Sequence, residues 1–216
     1  MKLNHDGKIA VLDLGDDENR FSPDFLDEFD AHLDDVVGGG AQGLVTTASG
    51  KFYTNGLDLD WLMAHGDQTQ RYVNRVQGLL ARVLTLPVPT AAALPGHAFG
   101  AGAMLALAHD FRVMRADRGF FCFPEVDIRI PFTPGMAALI QARLTPQAAV
   151  ASMTTGRRFG GTDAEAVGIV DATAPEGAVT AAAVEMLKPL ENKDQGILGA
   201  IKNTMFGPVV AALTQA

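Results

Sequence analysis

Glu125 is the residue in this chain best placed to do chemistry. It ends the run FFCFPE (Phe120 to Glu125), behind three phenylalanines, a cysteine and a proline. A carboxylate among aromatic rings loses hydration. Its pKa then rises, and it can both take and return a proton near neutrality. Just upstream, in LPGHAFGAGAMLALAHD, an apolar strand gives way to an apolar helix through Gly96, Gly100 and Gly102. Glycine at such a junction lets the backbone approach a ligand, and the first amides of the helix point outward. A second junction of this kind is Gly56–Leu57–Asp58. Two amides converging on one carbonyl oxygen form an oxyanion hole. Spacing alone leaves open the alternative that both are ordinary tight connections. Asp127 is a second carboxylate, and in a strand it would share a side with Glu125, although a surface ion pair is its more common role. Glu125 could itself serve only as the buried partner of Arg129 or Arg112.

Other chemistries find no support. GHAFGAG lacks the lysine and hydroxyl residue of a phosphate loop and the GxGxxG order of a dinucleotide fold. There is no GxSxG elbow for a serine hydrolase. His97 and His109 are not spaced i,i+4 and there are no paired cysteines, so no metal is expected. His5, His32 and His65 read as solvated or capping residues. The single cysteine, Cys122, reads as a small buried residue and allows no internal disulfide. A net charge of −8 with no compensating basic face argues against nucleic acid. No apolar run approaches the roughly 20 residues of a membrane span, so no membrane partner is expected. The N-terminal stretch lacks the apolar block of a signal peptide, and the C-terminal LTQA carries no peroxisomal address. The expected location is cytoplasmic.

The elements that must position these residues follow from periodicity and punctuation. With 216 residues and 48% hydrophobic content, the chain can bury the core of one α/β domain. Lys8 to Leu14 reads as a strand. Ser22 caps a helix with Pro23 at its first position and Phe25, Leu26, Phe29, Leu33 and Val36 on its buried face; Gly38–Gly39–Gly40 ends it. Gly43 to Ala48 is a buried strand and Ser49 to Gly56 a loop. Asp58 caps the next helix, which carries Trp61 and Leu62. A long helix covers Thr69 to Leu86, and Pro87 to Leu94 is the following strand. The central segment holds a strand, a helix reaching His109–Asp110, and a second strand. Val126 to Pro134 reads as mixed strand and loop, followed by helices over Gly135 to Leu144 and Pro146 to Thr154. A short helix capped by Thr162 leads to a strand from Ile169. Helices over Glu176 to Leu187 and Gln195 to Leu213 close the chain. Strands alternating with helices imply an α/β fold with largely parallel pairing, here divided into a core over residues 1–172 and a helical C-terminal region over 173–216.

The motifs together resemble the crotonase, or enoyl-CoA hydratase/isomerase, superfamily. KFYTNGLDLDWL (Lys51 to Leu62) is similar to the family's first amide-donor loop, and PGHAFGAGAMLALAHDFRV (Pro95 to Val113) to its second. FPEVDI (Phe123 to Ile128) resembles the acidic position, TGRRFGGTDAEAVGIVD (Thr155 to Asp171) a later signature, and ENRFSPDFLDEF (Glu18 to Phe29) the loop that wraps coenzyme A. The resemblance implies a spiral of ββα units with a short helical C-terminal region. It also implies an acyl-CoA thioester as substrate, with no metal or separate cofactor, and assembly as a homotrimer or hexamer. The amides of Leu57 and Ala101 would hold the thioester oxygen. Backbone around Arg20, Phe21 and Ser22, with Thr54, Asn55 and Gly56, would hold coenzyme A. Glu125 would be the acid/base, and Leu62, Phe99, Met104 and Phe132 would line the acyl pocket. Hydratases of the family use two glutamates, and the first position is Met104 here. One carboxylate suits the members that move a double bond. The Pro-Glu-Val-Asp stretch, the Gly-His-Ala start and the short C-terminus resemble monofunctional 3-enoyl-CoA to 2-enoyl-CoA isomerases. The alternatives within the resemblance are a one-glutamate hydratase, another family reaction such as thioester hydrolysis or decarboxylation, and a silent acyl-CoA-binding protein.

Overall fold

The computed structural model describes residues 1–215. It opens with an antiparallel hairpin, β1 (Lys2–Asp6) and β2 (Ile9–Asp13), turned at Gly7 with φ +59°. After α1 (Pro23–Gly38), a strand–strand–helix unit recurs. The first unit is β3 (Gly43–Thr47) and β4 (Phe52–Thr54), followed by α2 (Leu59–Ala64) and α3 (Thr69–Leu84). The second is β5 (Thr90–Leu94), β6 (His97–Phe99) and α4 (Ala101–Ala108). The third is β7 (Phe111–Arg115) and β8 (Phe121–Cys122), followed by α5 (Glu125–Ile128), α6 (Pro134–Arg143), α7 (Pro146–Thr155) and α8 (Gly161–Ala166). β9 (Ala172–Ala174), α9 (Val179–Leu187) and α10 (Gln195–Thr214) complete the chain. In each unit the first strand joins a six-stranded sheet of order β1-β2-β3-β5-β7-β9, and the second joins a three-stranded sheet of order β4-β6-β8. Apart from the first hairpin, all of these strands pair in parallel. This is the α/β fold that the alternation of strands and helices implied, wound as the spiral that the family resemblance implied.

Period-2 alternation splits the core across the large sheet. Along β5, Ala92 and Leu94 face the main core, while Ala91 and Ala93 face a smaller one that α9 closes with Val179, Ala183, Val184 and Leu187. β9 adds to the edge of the large sheet and α10 lies on α3 and α6, so residues after 172 pack into the same body as the rest. The cap expected at Ser22 is present: its side chain accepts from the Phe25 amide at 3.2 Å. Asp58 likewise accepts from the Trp61 amide at 3.1 Å.

Five details differ from the sequence reading. Residues 49–56, read as a loop, contain β4, and the junction through Gly96 and Gly100 contains β6; both strands are too short to show a period. Residues 125–128 form a helical turn rather than a strand, with Pro124 in front and Arg129 closing it at φ +61°. Glu125 and Asp127 therefore diverge, and Asp127 packs against Gly156 instead. Thr162 lies inside α8, whose N-cap is Gly160. Finally, α10 is long and apolar enough, by length and composition, to cross a membrane, which the search for apolar runs missed. Its Phe206, Val209 and Leu213 nonetheless pack into the main core. Lys202, 4% exposed, donates to Asp110 at 2.6 Å and to the Val88 carbonyl at 2.8 Å, which fixes this helix to the end of the large sheet.

Candidate active site

Pro124 and the left-handed Arg129 bracket the single turn that carries Glu125. The amides of Arg129 and Ile130 both donate back to the Glu125 carbonyl, so the turn is closed on itself. The Glu125 side chain is 9% exposed, and among the described residues its Oε2 has no hydrogen-bond partner. Arg112, one of the cations that could have neutralised it, is committed to Asp171 at 3.0 Å. Burial without a counter-ion pushes the Glu125 carboxyl up to about 7. A buried polar atom with no partner is costly, and a carboxyl poised near neutrality is a candidate proton carrier.

The two glycine junctions meet beside it. Gly56 has φ +80°, and a methyl group added there would sit 2.7 Å from the Phe99 carbonyl oxygen and 3.0 Å from the Ala101 nitrogen. The start of α4 therefore packs directly on the backbone leading into α2. Gly102 adds to this fit, since a methyl there would lie 2.5 Å from the Thr54 carbonyl oxygen. Gly100, with φ +52° and ψ −123°, turns the chain into α4, and a methyl there would be 3.4 Å from Glu125 Oε1. Among the described residues, neither the Leu57 nor the Ala101 amide has a protein acceptor. Two amides without a protein acceptor thus line the same cleft as the carboxylate. Such an arrangement can stabilise an oxyanion while a proton moves on the adjacent carbon.

These groups open onto a cleft of about 340 Å³ lined by Leu57, Phe99, Ala101 and Glu125 together with Leu59, Met63, Ile128 and Ile130. Of the expected acyl-pocket residues, Phe99 lines it. Leu62, Met104 and Phe132 do not: Met104 is 1% exposed within the main core, and Leu62 and Phe132 pack against that core. Helical periodicity explains Leu62. On α2, Leu59 and Met63 are four residues apart and face the cleft, whereas Leu62 turns inward. That period could have pointed to Met63 from the sequence. Nothing in the sequence signals Ile128 and Ile130, because their placement depends on the left-handed Arg129.

The polar end of the cleft is formed by Arg20, Asn55 and Asp60. Arg20 donates to Glu18 and Asp60, each at 2.5 Å, and Asn55 Nδ2 donates to Glu18 at 3.1 Å. Phe21 is fully buried and Ser22 is occupied as a helix cap. Three backbone amides of the segments expected to hold coenzyme A already have acceptors: Phe21 donates to the Gly56 carbonyl (2.9 Å), Asn55 to the Glu18 carbonyl (2.9 Å), and Gly56 to Thr54 Oγ1 (3.0 Å). Cys122 donates to the Gly156 carbonyl, and burial holds its thiol up at about 11, far from a nucleophile. Among the described residues no group of three or more His, Cys, Asp or Glu could hold a metal ion.

The chain matches the enoyl-CoA hydratase/isomerase family over residues 5–216. It is 38% identical over 192 residues to the Arabidopsis thaliana protein named enoyl-CoA delta isomerase 2, peroxisomal, with 83% of this chain and 80% of that protein covered. It is 30% identical to Arabidopsis enoyl-CoA delta isomerase 1, peroxisomal, with 94% and 88% covered. Among solved structures, a probable enoyl-CoA hydratase, EchA3, from Mycobacterium tuberculosis superposes with a TM-score of 0.91 at 25% identity, covering 98% of this chain and 90% of that one. Human mitochondrial delta3-delta2-enoyl-CoA isomerase shares the fold, with a TM-score of 0.89 at 22% identity over 98% of this chain and 85% of that one. Sequence and fold agree with the glycine junctions and the buried glutamate: this chain is an enzyme of the enoyl-CoA hydratase/isomerase family.

Proposed function

We propose that the enzyme converts 3-enoyl-CoA to 2-enoyl-CoA, with Glu125 as its only proton carrier. The ionised carboxylate removes a proton from the second carbon of the acyl chain. The electron pair moves through the double bond system to give a dienolate, whose oxygen is held by the Leu57 and Ala101 amides. The protonated Glu125 then returns the same proton at the fourth carbon, and the double bond ends conjugated with the thioester. Nothing is gained or lost overall, so no redox group and no water is required. The amides act where charge develops, so they favour the transition state over the ground state.

The observation that carries this reading is the solitary state of Glu125. A hydratase of this family would hold its water between two carboxylates. Asp60 is the other carboxylate lining the cleft, and it is bound by Arg20. The residue at the family's other glutamate position, Met104, is buried in the core. The names of the plant relatives agree with isomerisation. The test is to follow the conjugated thioester chromophore with a 3-enoyl-CoA, using wild type and Glu125→Gln, and to offer 2-enoyl-CoA as a second substrate. Isomerisation that is lost in the variant, with 2-enoyl-CoA left intact, is the expected result. Consumption of 2-enoyl-CoA would point to hydration instead.

A further inference from the structure

Residues Asn55 to Asp58 carry four successive amides, and three of them have acceptors. Asn55 donates to the Glu18 carbonyl at 2.9 Å, Gly56 to Thr54 Oγ1 at 3.0 Å, and Asp58 to the Tyr72 hydroxyl at 2.9 Å. Among the described residues, Leu57 alone of the four has none. The Gly56 carbonyl lies in the same peptide plane as the Leu57 amide, and it accepts from Phe21 at 2.9 Å. Across a trans peptide the carbonyl and the amide point opposite ways, so this bond turns the Leu57 N–H away from the loop that carries Phe21. Gly56, at φ +80°, has no side chain to restrict the two peptides that flank it, so hydrogen bonds must hold them.

One side chain serves both peptides. The Thr54 hydroxyl donates to the Asn19 carbonyl at 2.7 Å and accepts from the Gly56 amide at 3.0 Å. The first bond fixes the loop that carries Phe21, which Asn19, left-handed at φ +52°, also ties to the Tyr53 carbonyl at 3.1 Å. The second fixes Gly56 itself. Thr54 is 0% exposed and does not line the cleft. Resting on the proposed reaction, we infer that Thr54 is a positioning residue: its hydroxyl aims the Leu57 amide at the thioester oxygen and touches no part of the substrate. Valine in its place has nearly the same shape but leaves the Asn19 carbonyl and the Gly56 amide buried and unpaired. Gly56 then turns, and the Leu57 amide swings off the oxygen. Serine keeps the hydroxyl.

The test reads the thioester carbonyl directly. Decanoyl-CoA, which has no double bond to move, is given a heavy-carbon label at that carbonyl. Its stretch is followed by isotope-edited infrared difference spectroscopy on wild type, Thr54→Val and Thr54→Ser. Aimed donors in a dry site weaken the C=O bond more than water does, so wild type should lower the frequency below its value in solution. Thr54→Val should lose about half of that shift, because one of the two donors is misaimed. Its kcat on 3-decenoyl-CoA should fall by about tenfold with KM changing less, short of the roughly 100-fold for a donor removed outright. Thr54→Ser should keep the shift and the wild-type kcat. A valine variant with the wild-type shift and kcat, whatever its Tm, would make the hydroxyl structural only and overturn the inference. A serine variant that loses the shift would overturn it too, and this arm decides the matter if the valine variant does not fold. Wild type that shows the shift without isomerising 3-decenoyl-CoA would overturn the isomerase reading alone, and the shift in the variants would still decide the role of Thr54.

Discussion

Glu125 costs the fold what it lends to chemistry. Burial raises its pKa to about 7, so between the ordinary carboxylate range and pH 7 the folded chain keeps a proton that the unfolded chain has released. Stability from this group is complete at low pH and falls as pH rises through that window, by on the order of 2–3 kcal/mol at pH 8. Glu125→Gln removes the penalty. Urea unfolding should therefore find the variant more stable than wild type by about that amount at pH 8, with the gap closing toward pH 4. Equal stability at both pH values would mean that the carboxyl is not desolvated. His109 has the opposite sign, since burial lowers it to about 4, but it is present in both proteins and cancels from the difference. Glu125 was legible in the sequence because aromatic neighbours along the chain made its surroundings apolar. Ile128 and Ile130 were not, because their place in the cleft is set by a left-handed turn, whereas Met63 follows from the helix phase of α2.

At the scale of elements, the site depends on how closely the start of α4 lies on the strand β4 and its exit. Gly56 and Gly102 allow that approach, and a buried chain of hydrogen bonds holds the elements together behind it. His109 bonds the Leu105 carbonyl at 2.8 Å within α4 and Thr46 Oγ1 on β3 at 2.9 Å; Thr46 in turn bonds the Tyr53 hydroxyl on β4 at 2.8 Å. Gly56→Ala should separate the two amides. Its methyl would meet the Phe99 carbonyl and the Ala101 nitrogen, and φ +80° is unfavourable for alanine. We expect kcat to fall by about 100-fold, comparable to loss of one oxyanion donor, while KM changes less; steady-state kinetics reads both. Unchanged kcat would show that the junction is only a tight connection. The glycines were readable as junctions, and Ser22 and Asp58 as caps, because each is a local signal. β4 and β6 were missed because three-residue strands carry no period, and α5 because a four-residue turn between a proline and a left-handed arginine has no helical pattern.

At the scale of the molecule, the spiral brings residues 56, 100 and 125 together from three successive units, and α10 packs on α3 and α6. Lys202 joins that helix to Asp110, just beyond α4, so Lys202→Met leaves a largely buried carboxylate without its cation. A loss of about 3 kcal/mol in urea unfolding is expected, with kcat retained because Lys202 does not line the cleft that holds Glu125. No loss would mean that the apolar face alone holds α10. The alternation of strands and helices made the α/β class readable from the sequence. The division into two sheets was not, because pairing between strands far apart leaves no mark on either one. The most direct test of Glu125 as the proton carrier is absorbance of the conjugated thioester when wild type and Glu125→Gln are each given 3-decenoyl-CoA at pH 8. Wild type should show a rise, and the variant a rate lower by about a thousandfold while still binding the ester. A variant that isomerises at the wild-type rate would contradict that role, because the proton would then be travelling without Glu125.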